Sequence, residues 1–255
     1  MQRNVLSCEH AVGNERAARR EKRDEVGRRL AADGVHCRGY RPSTGNGANL
    51  FCPFVVIGRD DWHRGVPLGE LSGADRYDEV WEGVYMMAPL ADNEHQDLQL
   101  ALGGVFAFAI VWAGIGRAQT GANVSDRERG WEHNYRIPDI VVVLPGSVAR
   151  DCGSHWCGGP DFAVEILSPG DRSRQKLDFY AGIGVRELLL ISRDPWELEL
   201  YRLKNARLES VGRSDIARPD PLRSEVIPMS FRLAPGSPRP RIDVTHADGV
   251  QRWLV

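Results

Sequence analysis

Residues 158–171 read Gly-Gly-Pro-Asp-Phe-Ala-Val-Glu-Ile-Leu-Ser-Pro-Gly-Asp, and they place one carboxylate, that of Glu165, inside an apolar run of strand length. A near-continuous apolar run between turn residues is typical of a strand that is covered on both faces. A buried charge is costly unless another group pairs with it. The stretch therefore predicts a central strand whose acid is compensated by a cation, either a lysine or a metal ion.

The composition of the 255-residue chain, with 42% hydrophobic and 27% charged residues, is that of an ordinary soluble protein. A formal net charge of −2 gives no overall basic field for nucleic-acid binding, although a local basic cleft is compatible with it. Five scattered cysteines and the lack of an apolar leader after Met1 predict a reducing, cytoplasmic location. Residues 100–116 are uncharged but contain four glycines, so we expect a buried core helix and no membrane contact.

Three regions differ in composition. Residues 1–67 are rich in arginine and glycine and are expected to form a poorly ordered N-terminal extension, in which residues 54–57 could add a short strand. Residues 68–235 carry the periodic apolar segments and are expected to form the compact domain, and residues 236–255 are expected to be a loose C-terminal tail.

Within the compact domain, apolar runs and alternating segments predict strands, and the 3.6-residue period predicts helices. The predicted strands are 77–88 (a hairpin turning at Gly83), 137–144, 161–167, 187–192 and 196–203, and the predicted helices are 94–112 and 173–182. Asp171 or Ser173 could cap the second helix, and Gly182 or Gly184 could end it. Residues 226–233 could add one small element. The pattern predicts an α/β (α+β) domain with a central mixed β-sheet flanked by helices.

Two acids and one lysine suggest chemistry at one end of this sheet. Asp139 opens one buried strand, Glu165 lies inside the next, and Lys176 lies on the helix that follows. Carboxylates from adjacent strands form a natural Mg²⁺ site, because this ion takes oxygen ligands and often completes its shell with phosphate oxygens. The implied reaction is metal-assisted hydrolysis of a phosphodiester, with the lysine orienting water or stabilising negative charge.

Four blocks in the same order carry a family resemblance: IPDIVVV, GPDFAVEILSP, KLDFYAGIGVRELLLIS and WELELYRL. With the upstream stretch YDEVWEGVYMMAPLADNEHQ, they resemble the Uma-type restriction endonuclease family of the PD-(D/E)XK nuclease superfamily. The resemblance implies a restriction-endonuclease-like fold and nuclease activity with Mg²⁺, or Mn²⁺ in its place.

The resemblance also assigns residues. Asp139 matches the PD aspartate and Glu165 the acid of (D/E)XK, so these two are the expected metal ligands. The motif lysine would fall at Leu167, and Lys176 matches the place to which this lysine has moved in some superfamily members. His95 matches the family's histidine.

Other matches involve the N-terminal hairpin and the second helix. Glu79 and Glu82 are both candidates for an additional acid at the hairpin. Tyr180 and Gly184 match the family's helix-to-strand signature.

Structural explanations compete for several of these residues. His95, Glu79 and Glu82 could be ordinary surface polar residues at a helix start and in a hairpin. Glu165 could be a structural acid paired with a nearby arginine, and Lys176 a solvated helix lysine. Three further side chains invite a zinc hypothesis, but their spacing lacks the paired Cys-x-x-Cys arrangement, and we expect no site there: Cys152, His155 and Cys157.

The predicted function is cleavage of nucleic acid, DNA before RNA, at an Asp-Glu-Lys site. A homodimer would bring two such sites to the two strands of a duplex. Two alternatives are a nucleic-acid-binding module that keeps the fold without turnover, and a small-molecule phosphodiesterase, which an open groove without a basic rim would favour.

Overall fold

The computed structural model describes residues 56–57, 78–86, 91–168 and 172–255. The backbone of Val56–Ile57 forms a short strand, β1, within the predicted segment 54–57. The predicted disorder of the rest of residues 1–67, the start of the domain near residue 68 and the cap at Asp171 lie outside the described residues.

A six-stranded mixed sheet forms the centre of the fold, in the order β13-β12-β11-β10-β7-β4. Its strands are β4 (Arg117–Thr120), β7 (Ile140–Val143), β10 (Phe162–Ile166), β11 (Glu187–Arg193), β12 (Trp196–Lys204) and β13 (Arg207–Ser214). β10 and β11 are parallel, and every other neighbouring pair is antiparallel. All residues of β7 and β10 are buried, as their apolar runs predict. The expected central mixed sheet is confirmed.

Helix α1 (Asn93–Phe106) covers one face of this sheet and continues as a π-helical segment, Ala107–Trp112. The side chain of Asp92 caps its first turn by accepting a hydrogen bond from the His95 backbone N–H at 2.9 Å. Its buried side, which includes Leu102 and Phe106, packs against β7, β10 and β11. The expected core helix is buried on this side only, because Leu100 and Trp112 are 77% and 75% exposed. None of the described helices is long and apolar enough to cross a membrane.

The opposite face of the sheet carries a 3₁₀ turn, Ser173–Lys176, and helix α2 (Leu177–Ile183). These elements connect the parallel strands β10 and β11, a pairing that always needs a crossover. Gly184 ends α2 in the left-handed region at φ 89°, one of the two glycines expected there.

A second sheet lies beside the central one, in the order β1-β3-β2-β6-β5-β9-β8. We call it the small sheet, because its seven strands have only two or three residues each. It consists of β1, β2 (Glu79–Trp81), β3 (Val84–Met86), β5 (Val124–Ser125), β6 (Tyr135–Arg136), β8 (Arg150–Asp151) and β9 (Trp156–Cys157). The β2–β3 hairpin turns through Glu82 and Gly83, which have φ values of 48° and 80°. This two-residue turn with positive φ at both positions confirms the predicted hairpin.

The C-terminal residues form a third, four-stranded sheet in the order β14-β15-β16-β17. Its strands are β14 (Leu222–Arg223), β15 (Met229–Ala234), β16 (Arg241–His246) and β17 (Arg252–Leu254). The expectation of a loose tail over residues 236–255 is therefore wrong for β16 and β17. Ile242, Val244 and Val255 are buried against the same core as α1, so the tail is held by apolar packing.

Asp243 anchors this third sheet, because it is 1% exposed and both of its oxygens are bonded to arginine. The Arg252 Nε and Nη2 atoms lie 2.5 and 2.7 Å from its two oxygens, and the Arg232 Nε atom lies 2.7 Å from Oδ2. Burial alone would raise the pKa of Asp243, but the arginine hydrogen bonds outweigh it and hold that pKa below its usual value.

We predict that Asp243→Asn lowers the free energy of unfolding at pH 7 by about 1–3 kcal/mol, since buried bonds to charged partners are lost. Because the folded-state pKa is depressed, this stabilisation is present above the ordinary pKa and is lost as the pH falls through the lowered value. Urea unfolding of both proteins should therefore show a difference that shrinks towards acid pH. Asp220→Asn, at an exposed position, is the control; an equal loss in both variants would contradict the prediction.

Candidate active site

Glu165 is the fourth of the five residues of β10 and is only 3% exposed. Its side chain is on the same side of the sheet as α2. The Lys176 ammonium donates to its two oxygens at 3.0 and 3.2 Å, the Tyr180 hydroxyl to Oε1 at 2.5 Å, and the Ser173 hydroxyl to Oε2 at 3.2 Å. The crossover elements therefore supply every one of these compensating donors.

Lys176 is the last residue of the 3₁₀ turn and is 8% exposed. Its Nζ atom lies 3.0 Å from Glu165 Oε1 and 2.8 Å from Glu79 Oε1. One ammonium thus bridges two buried carboxylates from different sheets. Such a group is costly to desolvate and holds together only while all its members are present.

The N-terminal hairpin supplies Glu79 to this cluster. Glu79 is 5% exposed, and it also accepts hydrogen bonds from the Trp81 indole N–H at 2.7 Å and the Ile137 backbone N–H at 2.9 Å. The side chain of Glu82 is 76% exposed and contacts Asn134 and Arg127 instead. Of the two candidate acids on the hairpin, the structure brings Glu79 to Lys176.

Asp139 immediately precedes β7, next to the Ile140 that pairs with Val164 of β10. Its Oδ2 accepts the backbone N–H of Ile166 at 2.6 Å, and its Oδ1 lies 2.7 Å from His95 Nε2. Gln99 of α1 donates to the Asp139 backbone oxygen at 3.0 Å. His95 therefore contacts Asp139, and both lie beside the end of the strand that carries Glu165.

The site thus has two adjoining parts that meet at β10. One part is the ammonium cluster of Glu79, Glu165 and Lys176 on the α2 side, and the other is the Asp139–His95 pair on the α1 side. Extending the β7–β10 register by one residue places Asp139 opposite Glu165.

Tyr180 and Arg136 are further members of this region. Burial, followed by the charge of Glu165, raises the pKa of Tyr180 well above its usual value, so its hydroxyl stays a donor. The Arg136 guanidinium lies 4.5 Å from the Trp81 ring and 4.1 Å from the Phe179 ring, and burial lowers its pKa. The sequence contains a signal for Tyr180, because its spacing of four residues from Lys176 predicts one face of a helix. The surroundings of Arg136 depend on long-range contacts, which no local pattern contains.

The ligand chemistry fits a hard divalent cation, since Asp139, Glu165 and Glu79 offer only carboxylate oxygens. Among the described residues, no three His, Cys, Asp or Glu side chains form a ready-made cluster for a metal ion. Mg²⁺ is commonly held by one or two carboxylates together with substrate phosphates and water, so a two-carboxylate arrangement is sufficient.

The zinc hypothesis for the 152–157 hairpin finds no support. His155 directs Nε2 to the Arg127 backbone oxygen at 3.0 Å and stacks on Trp131 with ring centroids 4.8 Å apart. Cys152 and Cys157 are free thiols, and no metal cluster exists among the described residues. The imidazole is therefore held by the Arg127 backbone and the Trp131 ring.

We predict that Lys176→Met lowers the free energy of unfolding by about 3–5 kcal/mol, because two buried carboxylates lose their shared cation. Urea unfolding followed by circular dichroism measures the change. Lys204→Met, at an exposed position on β12, is the matched control and should change stability by less than about 0.5 kcal/mol. Equal stability of the Lys176 variant and the wild type would show that the bridging contact is not formed.

Comparison with known proteins bears on the whole domain. The family model described as "Putative restriction endonuclease" (Uma2) matches residues 71–236, which is more than half of the chain. A solved structure from Anabaena variabilis, described as a putative nuclease of the DUF820 group, is similar at 20% identity and a TM-score of 0.48, covering 66% of this chain and 88% of that one. No curated protein matches significantly. The chain belongs to the Uma2 family, the Uma-type family that the four sequence blocks predicted.

Proposed function

We propose that the protein is a metal-dependent endonuclease that hydrolyses phosphodiester bonds of nucleic acid, with DNA as the substrate class. The observation that carries the proposal is the position of Lys176, whose ammonium lies 3.0 Å from Glu165 although Leu167 stands where the motif lysine would fall. In a family with this description, a lysine supplied by the crossover after β10 to the same acid supports retention of the Asp-Glu-Lys set.

Asp139 and Glu165 are the proposed ligands of Mg²⁺, or of Mn²⁺ in its place, because they lie at the start of β7 and in the adjacent strand β10 and carry hard oxygen donors. When bound, the ion would neutralise charge on the phosphoryl group and lower the pKa of water. The chain's own task is to hold both carboxylates in the correct orientation. Hydrogen bonds from His95 and the Ile166 backbone fix Asp139, and those from Tyr180 and Ser173 fix Glu165.

Lys176 has the role of a fixed positive charge beside the reacting phosphate. An ammonium is a compact point charge, suited to orient a water molecule or to stabilise the negative charge that develops on the phosphoryl oxygens. Glu79 has a positioning role in this scheme, because its 2.8 Å contact helps to hold the ammonium in place. His95 positions Asp139, and Glu82 is left outside the proposed mechanism.

Two further parts of the proposal concern context. A homodimer would place two sites on the two strands of a duplex. The cytoplasmic location expected from the scattered cysteines belongs to the same proposal.

A small-molecule phosphodiesterase is the second candidate, and one observation favours it. A groove that adjoins Asp139 through Gln99 and Ile140 lacks a basic rim, because Arg117, the one Lys or Arg among its lining residues, is paired with Asp151 at 2.7 Å. Hydrolysis rates on bis(p-nitrophenyl) phosphate and on plasmid DNA, measured side by side, separate the two. A small-molecule phosphodiesterase would hydrolyse only the former.

We predict that Glu165→Gln lowers the rate of plasmid cleavage in Mg²⁺ or Mn²⁺ by at least about 100-fold, because a charged ligand is lost. Gel assays of supercoiled plasmid measure the rate, and circular dichroism confirms folding. Asp178→Asn, on the exposed side of α2, makes the same kind of change outside the site and should cleave like the wild type. A folded wild-type protein that binds DNA but cleaves no substrate would instead identify the binding module without turnover.

A further inference from the structure

A groove of about 1010 Å³ adjoins the Asp139 side of the site. Small residues of α1, among them Gly103 and Gly104, line one side, and the edge strand β4 with the 153–156 hairpin lines the other. Gln99 both lines this groove and donates to the Asp139 backbone oxygen. The groove is at the upper end of the size range of small-ligand sites, about 300–1,000 Å³. It is therefore suited to a small unstacked group and not to an enclosed duplex.

The charge of the groove argues against a phosphate channel. The charged residues among those that line it are Arg117 and Asp151, and they form an ion pair with each other. A groove that followed the phosphate backbone would carry several unpaired cations. The rest of the polar lining is neutral and consists mainly of amide and hydroxyl side chains.

Two of these amides are fixed at one end and leave the other end available. The Gln119 oxygen accepts the Trp156 indole N–H at 2.7 Å, which leaves its NH₂ group as a donor. The Asn123 NH₂ group donates to the Ser154 backbone oxygen at 3.2 Å, which leaves its side-chain oxygen as an acceptor. The groove therefore presents one oriented donor and one oriented acceptor.

A flat cation lies next to this pair. The Arg117 guanidinium lies 4.7 Å from the centroid of the Trp156 ring, so one of its faces is covered by the indole. Its side chain is 53% exposed, and guanidinium planes are common stacking partners of unpaired bases. Stacking and an amide donor–acceptor pair together match the π-face and the polar edge of a nucleobase.

We propose that this groove binds an unpaired nucleobase of the substrate strand, next to the phosphate that a metal ion at Asp139 and Glu165 would bind. The inference rests on the proposed nuclease function. Gln119 donates to an acceptor on the base, Asn123 accepts from a donor on the base, and Arg117 stacks on its face. This nuclease would accordingly act on strands with unstacked bases, such as single strands, mismatches or duplex ends.

The test is binding in the absence of divalent metal, so that cleavage does not interfere. Fluorescence anisotropy compares a single-stranded oligonucleotide with one of the same length that has a single abasic position, since the two carry the same phosphates. The abasic position is moved along the strand in a series of oligonucleotides. At the position with the largest effect, we expect the wild type to bind the intact strand about tenfold more tightly than the abasic strand, the order expected for one well-oriented base contact. Gln119→Glu keeps the acceptor for Trp156 and removes the NH₂ donor, so it should abolish this preference.

A charge control is needed, because Gln119→Glu also adds a negative charge. Gln251→Glu, on the β16–β17 hairpin, makes the same change outside the groove and should retain the tenfold preference. Equal binding of intact and abasic strands by the wild type, or an unchanged preference in Gln119→Glu, would overturn the inference. Plasmid cleavage distinguishes failure of this inference from failure of the proposed function. Cleavage without base preference rejects only base binding in the groove. Base preference without cleavage supports base binding in the groove and rejects the nuclease function.

Discussion

The ammonium of Lys176 holds two buried carboxylates together, and this contact links the N-terminal hairpin, β10 and the crossover after it. Glu79 comes from the small sheet, Glu165 from the central sheet, and Lys176 from the crossover between β10 and β11. None of the three charges can be buried at acceptable cost without the others. The position of the N-terminal hairpin relative to the central sheet is therefore determined by an electrostatic requirement as well as by apolar packing.

The parallel pairing of β10 and β11 explains how the lysine reaches Glu165 from a helix. A parallel pair needs a crossover, and this one passes over the face on which Glu165 lies. Leu167 follows Glu165 by two residues and packs with the apolar residues of α2, so its position contributes to the core. The 3₁₀ turn before α2 then supplies the cation that a lysine at this strand position would have supplied.

The sequence was sufficient to predict those parts of the fold and of the site whose signal is local. The apolar runs of β7, β10 and β11 predict buried strands, and the acid inside one of them predicts a compensating cation. It could not separate Glu79 from Glu82, because both lie on one hairpin and the difference arises from contacts with Trp81 and the backbone of Ile137. Of the C-terminal sheet, only the element expected over residues 226–233 was predicted, where β15 lies. The other strands escaped prediction because their burial depends on packing against the core that they share with α1.

The charge distribution bears on how such a protein could hold a polyanion. With a net charge of −2 and a groove whose single arginine is paired, the described surface beside Asp139 offers little neutralisation of phosphates. Binding that does not depend on phosphate charge releases few counterions and should depend weakly on salt. Affinity would then have to come from a divalent ion at the carboxylates and from contacts to bases. The neutral amides of Gln119 and Asn123, close to Asp139, are suited to the second of these tasks because they bind without requiring a charged partner.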